Sequence, residues 1–184
     1  MSKRRKKVKK SPLRSALSWT IYILIILTVA IALVQFLSQR TEVSGDSMQP
    51  TLDAGDYLIV DKITYAFSEP QRFDVIVFPS QYQEDTFYIK RIIGMPGETV
   101  QITNGMVYIN GEALLENDSR ETIHESGLAS VPVTLEEGEY FVLGDNRNNS
   151  TDSRSPGIGN VQDSNIIGKA WLRIWPLEKF GLVR

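Results

Sequence analysis

From Trp19 to Leu37 the chain runs nineteen residues without a charge, WTIYILIILTVAIALVQFL. A helix rising 1.5 Å per residue would need about this length to cross the roughly 30 Å hydrocarbon layer of a bilayer. After Arg40 the pattern changes to short runs rich in Val, Ile, Tyr and Phe, punctuated by Gly, Pro, Asn and Asp, which is strand punctuation. The predicted strands are 57–60, 74–78, 86–93, 99–102, 106–109, 140–143 and 168–174. Thr103-Asn104-Gly105 and Asn110-Gly111-Glu112 are tight-turn signals on either side of the Met106 run, so residues 99–115 read as a small meander. From Leu115 to Val131 the chain is polar without a period, which predicts a mobile excursion. The expected fold is mostly β, an antiparallel sheet domain behind one N-terminal transmembrane helix.

Charge orients this picture. Eight Lys and Arg and no acid occupy the first fourteen residues; the remaining twelve Lys and Arg face twenty-two Asp and Glu, a formal charge of -10 over residues 15–184. The basic cluster is expected to stay in the cytoplasm, which sends the chain after the anchor outside. The organisation expected is a basic tail at 1–14, an anchor at 15–38 and an extracytoplasmic domain at 39–184, with the meander and excursion inserted at about 99–135. An acidic body repels nucleic acid, so no nucleic-acid partner is expected. A cleavable secretory signal also begins basic, and Ala30-Ile31-Ala32 offers a small-x-small cleavage pattern. That site lies inside an apolar run longer than a signal core, so an uncleaved anchor is favoured.

No cysteine is present, which removes disulfides, thiolate metal sites and thiol proteases. His124 is the single histidine and sits in a polar stretch, where a solvated loop side chain is the ordinary reading. Any Ser-His-Asp triad would have to use it.

Four stretches carry candidate chemistry: Gly45-Asp46-Ser47-Met48-Gln49-Pro50-Thr51-Leu52, Arg72-Phe73-Asp74-Val75-Ile76-Val77-Phe78, residues 88–98 (YIKRIIGMPGE) and residues 144–154 (GDNRNNSTDSR). Each alone is weak, since a Ser before Met and Pro is also a capped turn. Together, in this order behind an anchor, they resemble the bacterial type I signal peptidase family, and the Gly-Asp-Ser form is similar to its Gram-positive branch. Phe73 stands where that family more often has Gly.

The resemblance implies a serine endopeptidase that removes N-terminal signal peptides after small-x-small sites, with Ser47 as nucleophile, Lys90 as general base and no cofactor or metal. Its expected partners are secretory preproteins and the lipid bilayer. Serine needs a neighbour to accept its proton, and a lysine can do so only when neutral. Burial among apolar groups lowers its pKa from about 10.4, because desolvation penalises the ammonium. Strand alternation puts Tyr88, Lys90 and Ile92 on one face, so Lys90 can point inward while Arg91 points away.

The resemblance also gives Ser150 the task of orienting the lysine amine. Asp152 and Arg154 are expected to brace the site wall through bridges to Arg91, Asp74 or Asp145. The Ser47 N–H is the first oxyanion donor; Gly45, where some members carry a hydroxyl, leaves the second as a close backbone N–H or an ordered water. Met48 with Trp171, Leu172, Ile174 and Trp175 is read either as a rim resting on lipid or as core. A relative of the self-cleaving repressors is disfavoured by the anchor and acidic body. An anchored, non-catalytic β scaffold of a secretion or pilus system would leave the four stretches unexplained.

Overall fold

The computed structural model describes residues 18–28, 38–81, 86–116 and 121–184. The chain divides into two units, residues 1–37 and residues 38–184. In the first, residues 18–28 are helical, and the apolar side chains from Trp19 to Leu27 are exposed around the whole helix. Among the described residues no helix is long and apolar enough to cross a membrane; the rest of the expected anchor, 15–17 and 29–37, lies outside them.

The second unit is built from two antiparallel sheets. Its strands in chain order are β1 (Ser38–Glu42), β2 (Tyr57–Asp61), β3 (Val75–Pro79), β4 (Phe87–Gly94), β5 (Thr99–Thr103), β6 (Met106–Ile109), β7 (Glu112–Ala113), β8 (Val133–Thr134), β9 (Glu139–Leu143), β10 (Val161–Gln162), β11 (Gly168–Trp175) and β12 (Gly181–Leu182). The large sheet runs β1-β2-β11-β3-β4-β9-β10, with β12 beside β11; the small sheet runs β7-β6-β5-β8.

All seven predicted strands form. The meander is present too, closed by Asn104-Gly105 and Asn110-Gly111, which are all at positive φ as two-residue hairpin turns require. β8 adds to its far side through Val100 and Val133. In the stretch expected to be a mobile excursion, residues 117–120 lie outside the described residues. The described remainder is pinned: Ile123 and Ala129 are buried in the core of the small sheet, and the Leu128 N–H donates to the Arg154 carbonyl at 2.9 Å.

β4 organises the core. It lies between β3 and β9, and each of the three apolar clusters takes one of its buried isoleucines, Ile89, Ile92 or Ile93. A strand buried on both faces reads as a near-continuous apolar run, as Ile89 to Ile93 does apart from two cations. The expectation that Arg91 points away holds for direction only. Its face is buried as well, so both Lys90 and Arg91 are in the interior.

Candidate active site

The nucleophile candidate Ser47 opens a tight turn, with the Leu52 N–H donating to the Met48 carbonyl at 2.9 Å. Met48 and Leu52 fix this turn by packing with Leu58, Val75 and Ile89, which gives a physical reason for apolar residues at those two positions. Met48 therefore does not belong to a surface rim; it is core. On the other side, the Asn146 backbone N–H donates to the Ser47 carbonyl at 3.0 Å and its side-chain amide to the Asp46 carbonyl at 3.1 Å.

Lys90 on β4 donates from Nζ to Ser47 Oγ at 2.7 Å. Only 3% of the residue is exposed. Burial pulls the ammonium pKa down to about 8, against the opposing pull of the Asp152 and Asp145 carboxylates. Once the amine is neutral the contact can reverse, with the hydroxyl donating to the nitrogen lone pair. That is the geometry a general base requires.

Arg91, one residue on, solves the same burial problem differently. Its guanidinium grips Asp145 in a two-pronged pair, Nε to Oδ1 at 2.8 Å and Nη2 to Oδ2 at 2.6 Å, and Nη1 donates to the Phe73 carbonyl at 2.8 Å. Such a planar fork matches a carboxylate and keeps its charge. Thr51 donates to the same Asp145 at 2.5 Å, tying the nucleophile turn to the strand that carries the base.

The bracing expected of Asp152 and Arg154 is local. Asp152 pairs with Arg154 itself, Nε to Oδ1 at 2.8 Å, and accepts the Gly144 N–H at 3.1 Å, while Arg154 Nη2 donates to the Arg147 carbonyl at 2.6 Å. Asp74, offered as a partner for this pair, binds Lys169 and the Tyr65 hydroxyl instead, because it stands just before β3, beside the Lys169 that pairs with Ile76 in that strand. Ser150 Oγ is buried and makes no hydrogen bond among the described residues, so the expected contact with the lysine amine is not made. Gly144 lets this serine approach: a Cβ there would collide with Ser150 Oγ and with the Ser47 carbonyl.

A groove of about 460 Å3 leads to the pair, walled by residues 41–48 and 86–90 and closed by Asn149 and Thr151. Gly45, at φ 85°, lines it beside Ser47. His124 lines a separate cavity of about 450 Å3, with Arg147 and Arg154, and is no part of the groove.

Three contributors escaped sequence reasoning. Gly144 and Thr51 lie inside the quoted stretches, which were the signal for them. Arg173 on β11 had none: it donates to the Thr51 carbonyl at 3.1 Å and to Asp56 at 2.8 Å, across more than a hundred residues.

Known proteins resemble this chain over most of its length. Residues 16–175 match the family model "Signal peptidase, peptidase S26". A Signal peptidase I of Leptolyngbya laminosa is 42% identical over 83% of this chain and 76% of its own length. One from Bacillus caldolyticus is 36% identical over 88% and 91%. A crystal structure of a signal peptidase I from Enterococcus faecalis shares 37% identity, covering 55% of this chain and 97% of that one with a TM-score of 0.44. The chain belongs to the peptidase S26 family of signal peptidases.

Proposed function

We propose that this protein is a membrane-anchored serine endopeptidase that removes signal peptides from secretory preproteins, with Ser47 as nucleophile and neutral Lys90 as general base. The observation that carries the mechanism is the 2.7 Å contact between a buried amine and one hydroxyl. Ser47 Oγ attacks the scissile carbonyl carbon while its proton passes to Lys90 Nζ. The oxyanion that forms is held by the Ser47 N–H, with a second donor at Gly45 or an ordered water. Collapse breaks the C–N bond, and the ammonium of Lys90 returns a proton to the leaving amine. Water then attacks the acyl-enzyme, with Lys90 as base again.

Ser150 Oγ is buried without a partner, and a turn of this hydroxyl toward the neutral amine during the reaction satisfies both groups. The substrate chain lies extended in the groove and pairs with the backbone before Ser47 and along β4.

Anchoring and an extracytoplasmic position are supported by the uncharged run from Trp19 to Leu37, the basic tail before it and the apolar helix at 18–28. Exposed Trp171 and Trp175 on β11, with Leu177, Phe180 and Leu182 after it, support a rim that rests on lipid.

The test uses detergent-solubilised protein and a preprotein, read on a gel. Ser47→Ala and Lys90→Ala are each expected to abolish cleavage while the folded near-ultraviolet spectrum persists; retained activity in either ends the mechanism. Activity is expected to rise with pH and level off above about 8, where the amine is neutral. A bell centred near 6.5 would point to a histidine instead.

A further inference from the structure

The groove is electrically one-sided. Among its lining residues the charged side chains are Glu42, Asp46 and the buried Lys90 whose neutral form does the chemistry. Glu42 is compensated in part, because it accepts the Tyr57 hydroxyl at 2.9 Å and the Arg40 guanidinium stacks on the same ring, 4.2 Å from its centre. Asp46 is not. Its side chain is exposed and makes no hydrogen bond or ion pair among the described residues, although its backbone is tied down by Asn146.

Asp46 is also the residue next to the nucleophile. Consecutive Cα atoms lie 3.8 Å apart, so its carboxylate is held within roughly 10 Å of the reacting carbonyl. That is about one screening length at physiological salt, so a charge on the passing substrate is felt. The buried arginines Arg91, Arg147 and Arg154 are already paired with Asp145, Glu116 and Asp152, which offsets their charges.

We propose that Asp46 is a charge-selecting residue for the substrate chain: it favours a basic side chain, and disfavours an acidic one, at a position flanking the scissile bond. This rests on the peptidase reading above and adds to it a class of preferred sequence. The mechanism is Coulombic. At about 6 Å in water one unit charge changes the rate roughly threefold, so a Lys-to-Glu exchange is expected to change it by about tenfold. The effect belongs to kcat/KM, since the free substrate feels the field before it is cleaved.

The experiment uses the full-length enzyme in detergent with peptides that contain one small-x-small site. Lys, Gln or Glu is placed in turn at the middle position of the small-x-small site and at each of the two positions after the bond. At low salt the wild-type enzyme is expected to prefer Lys over Glu by about three- to tenfold at one or more positions, with Gln between. The ratio is expected to shrink toward one in 1 M salt, to fall to near one in Asp46→Asn and to invert in Asp46→Lys. The ratio is internal to each variant, so a change in overall rate does not affect it. Equal rates for Lys and Glu peptides in the wild type, or a preference that persists in Asp46→Asn, overturns the inference and leaves the peptidase intact. Failure of the wild type to cleave any peptide or preprotein overturns both.

Discussion

Lys90 and Arg91 are adjacent, cationic by type and buried, and they end in opposite states because one has a carboxylate in its plane and the other a hydroxyl. Holding Lys90 without a counter-ion costs stability, and the sign follows from proton counting. Its folded pKa of about 8 lies below the unfolded value of 10.5, so between them the unfolded chain binds the extra proton and stability rises with pH. The penalty is full below about pH 8 and gone above 10.5. Lys90→Met is therefore expected to be inactive yet more stable at pH 7, by up to about 3 kcal/mol, with the gain narrowing toward pH 10 in denaturant titrations. Phe73 is a second residue held against its preference. Its φ of 71° is in the left-handed region, where a side chain costs about 1–2 kcal/mol, and its carbonyl must face Arg91. Phe73→Gly is expected to unfold about 1 kcal/mol later than Phe73→Ala in urea, since both lose the ring but only glycine loses the strain.

At the level of elements, the nucleophile turn is held from β11 as firmly as from β4. Arg173 ties the Thr51 carbonyl and the nearly buried Asp56, and Lys179 reaches Asp53 at 2.5 Å. Arg173→Ala is expected to cost about 3 kcal/mol by leaving Asp56 unpaired, and a double-mutant cycle with Asp56→Asn is expected to show coupling of about 1–3 kcal/mol. Nothing along the chain announces this clamp, because its partners are 122 and 117 residues away. The longer strands were legible because each alternates or runs apolar between turn residues. β1, with the sequence SQRTE, and the two-residue β7, β8, β10 and β12 were not, because they have no apolar period and exist by pairing with a neighbour's backbone. In the site, Ser47 and Lys90 could be read only from four stretches taken together. The burial of Arg91 was missed because alternation assumes one wet face, and β4 has none from Ile89 onward.

Across the whole molecule the two sheets share β4 as a common wall: Ile93 enters the core of the small sheet while Ile89 and Ile92 serve the two sides of the large one. The exposed aromatic residues of β11 lie on the same strand as the Arg173 clamp. Full-length enzyme in liposomes is expected to lose several-fold activity toward a membrane-inserted preprotein in the double variant Trp171→Ser, Trp175→Ser. Its activity on a soluble peptide in detergent is expected to stay near wild type; equal losses on both substrates would assign the tryptophans to packing. Ser47 and Lys90 are 43 positions apart and meet only through the finished β-sheet. A newly made copy, still threadlike, therefore holds an ordinary charged lysine and an inert alcohol and cannot attack its siblings, and the first cleavage seen in a refolding mixture serves as a stopwatch for closure of the sheet.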